Sequence, residues 1–201
     1  MIFNEPDSPG ATPLTPDDLD GLMPTWLSTR ADLNLVEQTN IEAAVLWAFV
    51  GRKPVGSVRA LLTPQFSDRL HKRMFRDVWT WAGTRRRLVT NIGGDPAQIT
   101  NQMQLALDDA IFWHENGTFA PNELAVRIHH RLVCVHPYPN GNGRQTRLLA
   151  DVYLHITNRP RLTWGGGAPL GSADVDRARY IDALLAANAG DIEPLLAFAT
   201  T

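Results

Sequence analysis

His136-Pro137-Tyr138-Pro139-Asn140-Gly141-Asn142-Gly143-Arg144-Gln145-Thr146-Arg147 is the stretch on which this chain turns. An ionisable ring stands beside a proline-stiffened, glycine-punctuated loop, and the loop opens into an amphipathic run ending near Ile156. Upstream, Leu124, Ile128 and Leu132 recur at helical spacing, so a helix over about 124–135 delivers His136 at its C-terminal end. Pro137 and Pro139 stop that helix. Gly141 and Gly143 let the main chain approach a ligand without Cβ clashes, and their amides with that of Asn142 can form an anion-binding nest. Arg144, Arg147 and Asp151 are three and four apart and share one helix face, while Leu148, Val152 and Ile156 point to a core. Free amides, a positive helix end and two guanidiniums converging on one point describe a phosphate site, with a histidine at its mouth able to move a proton near neutral pH. The plainer reading makes Arg147 and Asp151 an internal ion pair. Neither a Walker loop nor a dinucleotide fingerprint fits, because Gly-x-x-x-x-Gly-Lys is absent and no βαβ unit surrounds the glycines.

The rest of the chain reads as mainly helical. Residues 1–14 are proline-rich and polar, an arm rather than an element, and Thr15-Pro16-Asp17-Asp18 then caps a short helix. Apolar residues at helical spacing run from Leu33 to Val50. Thr63-Pro64 starts a helix reaching toward Val78, and the period returns at Met103, Leu107 and Ile111. A last helix is expected from Ala173 to Ala187, capped by Ser172 and stopped near Gly190. Between helices, Arg87-Leu88-Val89-Thr90-Asn91-Ile92 is β-prone and closed by Gly93-Gly94-Asp95-Pro96, which predicts a small β-hairpin. There is no strand–helix alternation and no internal repeat.

Composition narrows the partners. The 201 residues suit one compact domain with a small appendage, taken as an arm and short helix over 1–32 and a main domain over 33–201. With 44% hydrophobic and 20% charged residues and a net charge of −2, nothing draws the whole chain to nucleic acid. No apolar run is long enough to span a bilayer and the N-terminus lacks a secretory pattern, so the expected compartment is the cytoplasm. The single cysteine, Cys134, sits in the run Leu132-Val133-Cys134-Val135 and reads as a buried core thiol. Adjacent His129 and His130 face different directions and do not suggest a shared metal. Trp79 and Trp81 read as packing residues, and Asp151 as a residue that orients an arginine.

The twelve residues from His136 to Arg147 resemble the signature of Fic (Fic/Doc) domains, His-x-Phe-x-Asp/Glu-Gly-Asn-Gly-Arg-x-x-Arg. Phe75-Arg76-Asp77-Val78-Trp79-Thr80-Trp81-Ala82-Gly83 looks like the segment leading into the Fic flap, and Tyr180–Leu184 with Pro194–Phe198 looks like the family's ending. The resemblance covers roughly 33–199 and is nearest to the bacterial subgroup called mobile mystery protein B, whose members carry Asn in the acidic slot. It implies a helical bundle with a hairpin flap beside the active site, and protein adenylyltransferase activity, with AMP moving from ATP to a Ser, Thr or Tyr hydroxyl of a target protein. His136 would be the general base. Asn140, Gly141, Asn142, Gly143, Arg144 and Arg147 would hold the nucleotide, Arg144 at the β-phosphate and Arg147 at the γ-phosphate. The run Arg85–Ile92, through Arg87, Leu88, Val89, Thr90, Asn91 and Ile92, would pair with the target's main chain.

Two departures bear on that implication. Asn140 stands where the family usually ligates Mg²⁺ with a carboxylate, and an amide oxygen lacks the charge that holds a hard cation. Tyr138 replaces the usual Phe. The family's inhibitory helix, Ser/Thr-x-x-x-Glu-Gly/Asn, has its nearest counterpart in Gln38-Thr39-Asn40-Ile41-Glu42-Ala43, which makes Glu42 the candidate restraint on Arg147 and Glu37 the alternate. Two other readings stay open: a Fic-fold phosphotransferase that delivers the γ-phosphate, and a non-catalytic nucleotide-binding or regulatory module.

Overall fold

The computed structural model describes residues 14–50, 54–166 and 174–201, with side chains from 176 in the last segment. Residues 1–13 of the expected arm and the Ser172 cap lie outside the described residues. Helices α1 (Pro16–Leu19), α2 (Arg30–Phe49), α3 (Val58–Leu61), α4 (Pro64–Phe75), α5 (Ile99–Glu115), α6 (Pro121–Val135), α7 (Asn142–Ile156), α8 (Asp174–Asn188) and α9 (Glu193–Thr200) follow in order, with a 3₁₀ turn at Pro96–Gln98. Helix starts obey local chemistry. Thr15 and Thr29 each form a capping box, with Asp18 and Asp32 respectively, and Thr63 caps α4 with Pro64 in its first turn.

Helix α7 occupies the centre of the bundle. It buries Leu148, Leu149 and Ala150 in succession together with Val152, Tyr153 and Leu154, so apolar contact surrounds it rather than covering one face. Helix α6 lies alongside it and is itself flanked by α5 and α9; α2 packs on α4, both reach α7, and α8 packs on α9. Burying each Leu or Val of this core contributes roughly 1.5–3 kcal/mol. The loop 136–141 therefore joins two helices fixed on several sides, which makes it a rigid mount. Near the N-terminus, Met23 N–H donates to Val78 O at 2.9 Å and Thr80 N–H to Gly21 O at 2.8 Å, clipping the chain after α1 onto the turn that follows α4. No helix among the described residues is long and apolar enough to cross a membrane.

The expected β-hairpin flap is absent. The described residues contain no β-strand; the sole ladder contact among them is an isolated bridge between Leu22 and Trp79, and residues 84–95 run as irregular chain. The carbonyls that a hairpin would pair across strands are taken by side chains instead. Arg86 Nη1 donates to Leu88 O, Arg86 Nη2 to Gly94 O, and Thr90 Oγ1 to Ile92 O. An isolated two-stranded ribbon is marginal in water, and here Leu88 and Val89 are half or more exposed, so too little apolar surface is buried to hold one.

Three smaller expectations also change. Helix α4 ends at Phe75 rather than near Val78. Cys134 is exposed, because a helix turns consecutive residues different ways: Leu132, Val133 and Val135 face inward and Cys134 faces out. Among the described residues Asp151 makes no hydrogen bond to an arginine; its Oδ1 accepts Leu162 N–H at 3.2 Å and Trp164 Nε1–H at 3.1 Å, fastening the chain after α7.

Candidate active site

His136 caps α6 in the left-handed region, φ 52° and ψ 61°, a conformation that non-glycine residues rarely adopt. It is 4% exposed. Its Nδ1 faces Val133 O at 3.4 Å, which places the proton on Nδ1 and makes Nε2 the basic nitrogen. Burial above all, with the nearby Arg86 cation, pulls its pKa down to about 4 against the raising effect of the Val133 carbonyl. The ring is therefore neutral at pH 7, as a general base must be.

The next residues build the anion site. Asn142 is 2% exposed, and its side chain staples the loop shut: Oδ1 accepts Tyr138 N–H at 2.9 Å and Nδ2 donates to Tyr138 O at 2.8 Å. Gly141 precedes α7 with φ 77°, and a Cβ there would meet Phe75 Cζ at 2.5 Å, so only glycine fits. No side chain caps α7, which leaves the first-turn amides of Asn142, Gly143 and Arg144 at the positive end of a fifteen-residue helix. Arg144 rises from this turn across the face of Phe75, 5.0 Å from its centroid, and Arg147 lies over Tyr180 at 5.1 Å. Tyr180 is held in turn by a directed chain. Its hydroxyl donates to His129 Nε2 (3.0 Å), His129 Nδ1 to Thr146 Oγ1 (2.9 Å), and Thr146 to Asn142 O (2.8 Å). His129 is fully buried, and burial drives its pKa well below the ordinary value, so it works as a neutral relay.

Glu37 enters this site and Glu42 does not. Glu37 is buried; Oε2 accepts Arg144 Nη1 at 2.6 Å and Oε1 accepts Trp79 Nε1–H at 2.7 Å. Glu42 is exposed and accepts from Gln38 Nε2 at 3.1 Å, one turn back on α2. Five residues on a helix amount to a rotation of about 140°, so one glutamate faces the loop while the other faces away.

Several contributors carried no local signal. His71 accepts Gly83 N–H on Nδ1 (2.9 Å) and donates Nε2–H to Asn140 O (3.0 Å), while its ring stacks on Tyr138 at 3.9 Å. Burial holds it neutral, with a pKa of about 3. Tyr138 is wholly buried, and its hydroxyl donates to Asp68 Oδ1 at 2.9 Å with Ser67 Oγ at 3.0 Å, which satisfies the extra oxygen that Phe would lack. Asp68 also pairs with Arg85 at 2.9 Å. Of the 87–92 segment, Arg87, Leu88, Val89 and Asn91 are exposed while Thr90 and Ile92 are half-buried.

The donor set does not make a Mg²⁺ site. Asn140 Oδ1 already accepts Gly141 N–H at 2.7 Å and lies 3.5 Å from the Arg144 guanidinium, and the Glu37 carboxylate is bound to that arginine. A cation's charge would meet an occupied neutral oxygen and a positive neighbour.

Comparison with known proteins agrees with this geometry. Residues 61–154 match the model of the Fic/DOC family. The chain is 36% identical over 133 residues to a protein adenylyltransferase Fic of Culex quinquefasciatus, covering 64% of this chain and 25% of that one. The chain spans about a quarter of the length of the curated relatives it matches. Among solved structures, Fic-1 of C. elegans (residues 134–508) superposes with a TM-score of 0.60 at 24% identity, over 82% of this chain and 46% of that one. BepC of Bartonella tribocorum, with bound AMPPNP, superposes with a TM-score of 0.62 at 14% identity, over 85% of each chain.

Proposed function

We propose that this chain, which carries a Fic/DOC-family domain over residues 61–154, is a protein adenylyltransferase that moves AMP from ATP to a hydroxyl of a target protein. One observation carries the reading: a neutral, buried histidine stands at the mouth of an uncapped helix N-terminus that two arginines flank. In the proposed reaction His136 Nε2 takes the proton of a Ser, Thr or Tyr hydroxyl as its oxygen attacks the α-phosphorus. The bond from that phosphorus to the bridging oxygen breaks and pyrophosphate departs. The amides of Asn142 to Arg144 stabilise charge on the phosphate oxygens, with Arg144 at the β-phosphate and Arg147 at the γ-phosphate. The target's main chain docks on Arg87–Ile92 as an extended segment without a pre-formed hairpin.

Glu37 sets the resting state. It holds Arg144 where a phosphate would otherwise bind, so the restraint falls to the alternate glutamate and to the first arginine rather than to Glu42 on Arg147. Asn140 in the acidic slot is what supports placing the chain in the mobile mystery protein B subgroup, as part of this proposal. The test is peptide mapping by mass spectrometry of a host lysate incubated with ATP and the Glu37→Ala protein. AMP adducts on Ser, Thr or Tyr are expected. Phosphate adducts would move the answer to phosphotransfer, and nucleotide binding without adducts to a regulatory module.

A further inference from the structure

We propose that Arg86 is the positioning residue that locks His136 in register with the target-docking segment; the role rests on the transfer reading above. Arg86 is 4% exposed, yet it makes no ion pair among the described residues. Its guanidinium spends its donors on three main-chain carbonyls instead: Nε on His136 O at 2.7 Å, Nη1 on Leu88 O at 2.8 Å, and Nη2 on Gly94 O at 2.9 Å. Its own N–H adds a fourth bond, to Pro137 O at 2.9 Å. The His136–Pro137 turn is thus gripped twice by one residue, and the same side chain reaches Leu88 near the start of the docking segment and Gly94 just beyond its end.

The contact is close as well as polar. A Cβ on Gly93, whose φ is +86°, would fall 2.7 Å from Arg86 Nη2 and 2.9 Å from both His136 Cβ and Val135 O. The chain just past the segment, at Gly93, therefore passes directly against the His136 Cβ and the end of α6. A planar fork can serve three divergent carbonyls at once; an ammonium cannot hold that geometry. His136 needs such a hold, since its left-handed backbone persists only where surroundings impose it. A buried cation satisfied by carbonyl dipoles is an expensive way to tie a loop. Placed here it fixes two things together: the direction of Nε2 and the path of the chain along which an acceptor hydroxyl arrives. The same charge is one cause of the neutral state of His136, which gives the role a spectroscopic signature.

Two variants of the full chain separate these effects, each made with and without Glu37→Ala. Arg86→Gln removes charge and fork, and Arg86→Lys keeps the charge and loses the fork. Both are expected to lower kcat for transfer to a protein acceptor by about 100-fold, the usual consequence of a displaced base, while the Kd for AMPPNP stays within about twofold. In NMR of imidazole-labelled protein, the His136 titration moves up toward 6.5 in Arg86→Gln and less in Arg86→Lys. Amide exchange over 87–94 accelerates in both. Acceptor kcat within about threefold of the parent, or an unmoved His136 titration and unchanged exchange, overturns the proposal. Loss of AMPPNP binding in step with activity in both variants also overturns it, because the role is then general folding. If the parent and Glu37→Ala proteins label no acceptor, the transfer reading fails; the NMR and exchange results still decide whether Arg86 couples His136 to the segment.

Discussion

Replacing Glu37 by Gln should tighten ATP binding and destabilise the fold at once. The wild-type carboxylate side chain is 6% exposed and its partner Arg144 30% exposed, with 2.6 Å between Oε2 and Nη1. Charge-assisted bonds of that kind contribute about 1.5–3 kcal/mol, and the phosphates must displace this one before Arg144 can serve them. A competing contact of that size weakens apparent nucleotide affinity by roughly 10–100-fold. Gln keeps an oxygen for Trp79 Nε1 but turns an NH₂ toward Arg144, so the competitor disappears while the packing volume stays. We therefore expect the Kd for AMPPNP by isothermal titration calorimetry to fall at least about tenfold, with unfolding free energy lower by about 1–3 kcal/mol once partial exposure is discounted. Glu42→Gln is the control. Its carboxylate is exposed and bonded only within α2 in the contacts described, so its Kd should match wild type. An unchanged Kd in Glu37→Gln together with lost stability would refute the argument, since the pair would then be a structural tie with no claim on the phosphate site.

Acid should unfold the protein early. His71 at about 3, His136 at about 4 and His129 well below its ordinary value all sit under the unfolded value of 6.5, so their stabilising effect is complete above pH 6.5 and is lost as pH falls below it. Burial lowers His130 as well, and Asp151, raised to about 6, works the other way between 6 and 3.8, so it offsets only about one of the protons these four histidines take up on unfolding. Urea titrations should lose on the order of 2–4 kcal/mol per pH unit near pH 5; a flat profile from pH 6.5 to 5 would contradict the neutral burial of these rings. Gly141→Ala meets both an unfavourable φ and the Phe75 ring, so a loss of about 2–4 kcal/mol is expected, with AMPPNP binding abolished. A companion Phe75→Leu change should restore part of the stability, and no recovery would point to another source of strain. Tyr138→Phe strips Asp68 and Ser67 of a buried partner and should cost about 1–2 kcal/mol in chemical denaturation, while a neutral result would mean water replaces the hydroxyl.

The central helix pair and its loop were legible because their instructions are local. Within twelve residues prolines stop one helix, Gly141 supplies the left-handed turn, and arginines follow at helical spacing. What escaped was set by distance along the chain. Glu37 meets Arg144 across 107 positions and Asp68 meets Tyr138 across 70, and no spacing rule reports such pairs. Glu42 was favoured by its place in a motif, whereas the direction of the helix face decides which glutamate arrives. The missing hairpin has a related cause. Strand propensity in Leu88–Ile92 is real, but its carbonyls answer to Arg86 and Thr90, and no second strand competes for them. Cys134 and Asp151 failed for the opposite reason: an apolar neighbourhood in sequence did not mean an inward side chain, and a shared face with Arg147 did not outweigh two nearby N–H donors.

The most direct test of the account is the fate of label from α-³²P-ATP and γ-³²P-ATP in reactions of the Glu37→Ala protein with host proteins, beside the same protein carrying His136→Ala. The account predicts label from the α position alone, stronger than with wild type and absent without His136. Label from the γ position, or α label that survives loss of His136, would contradict it.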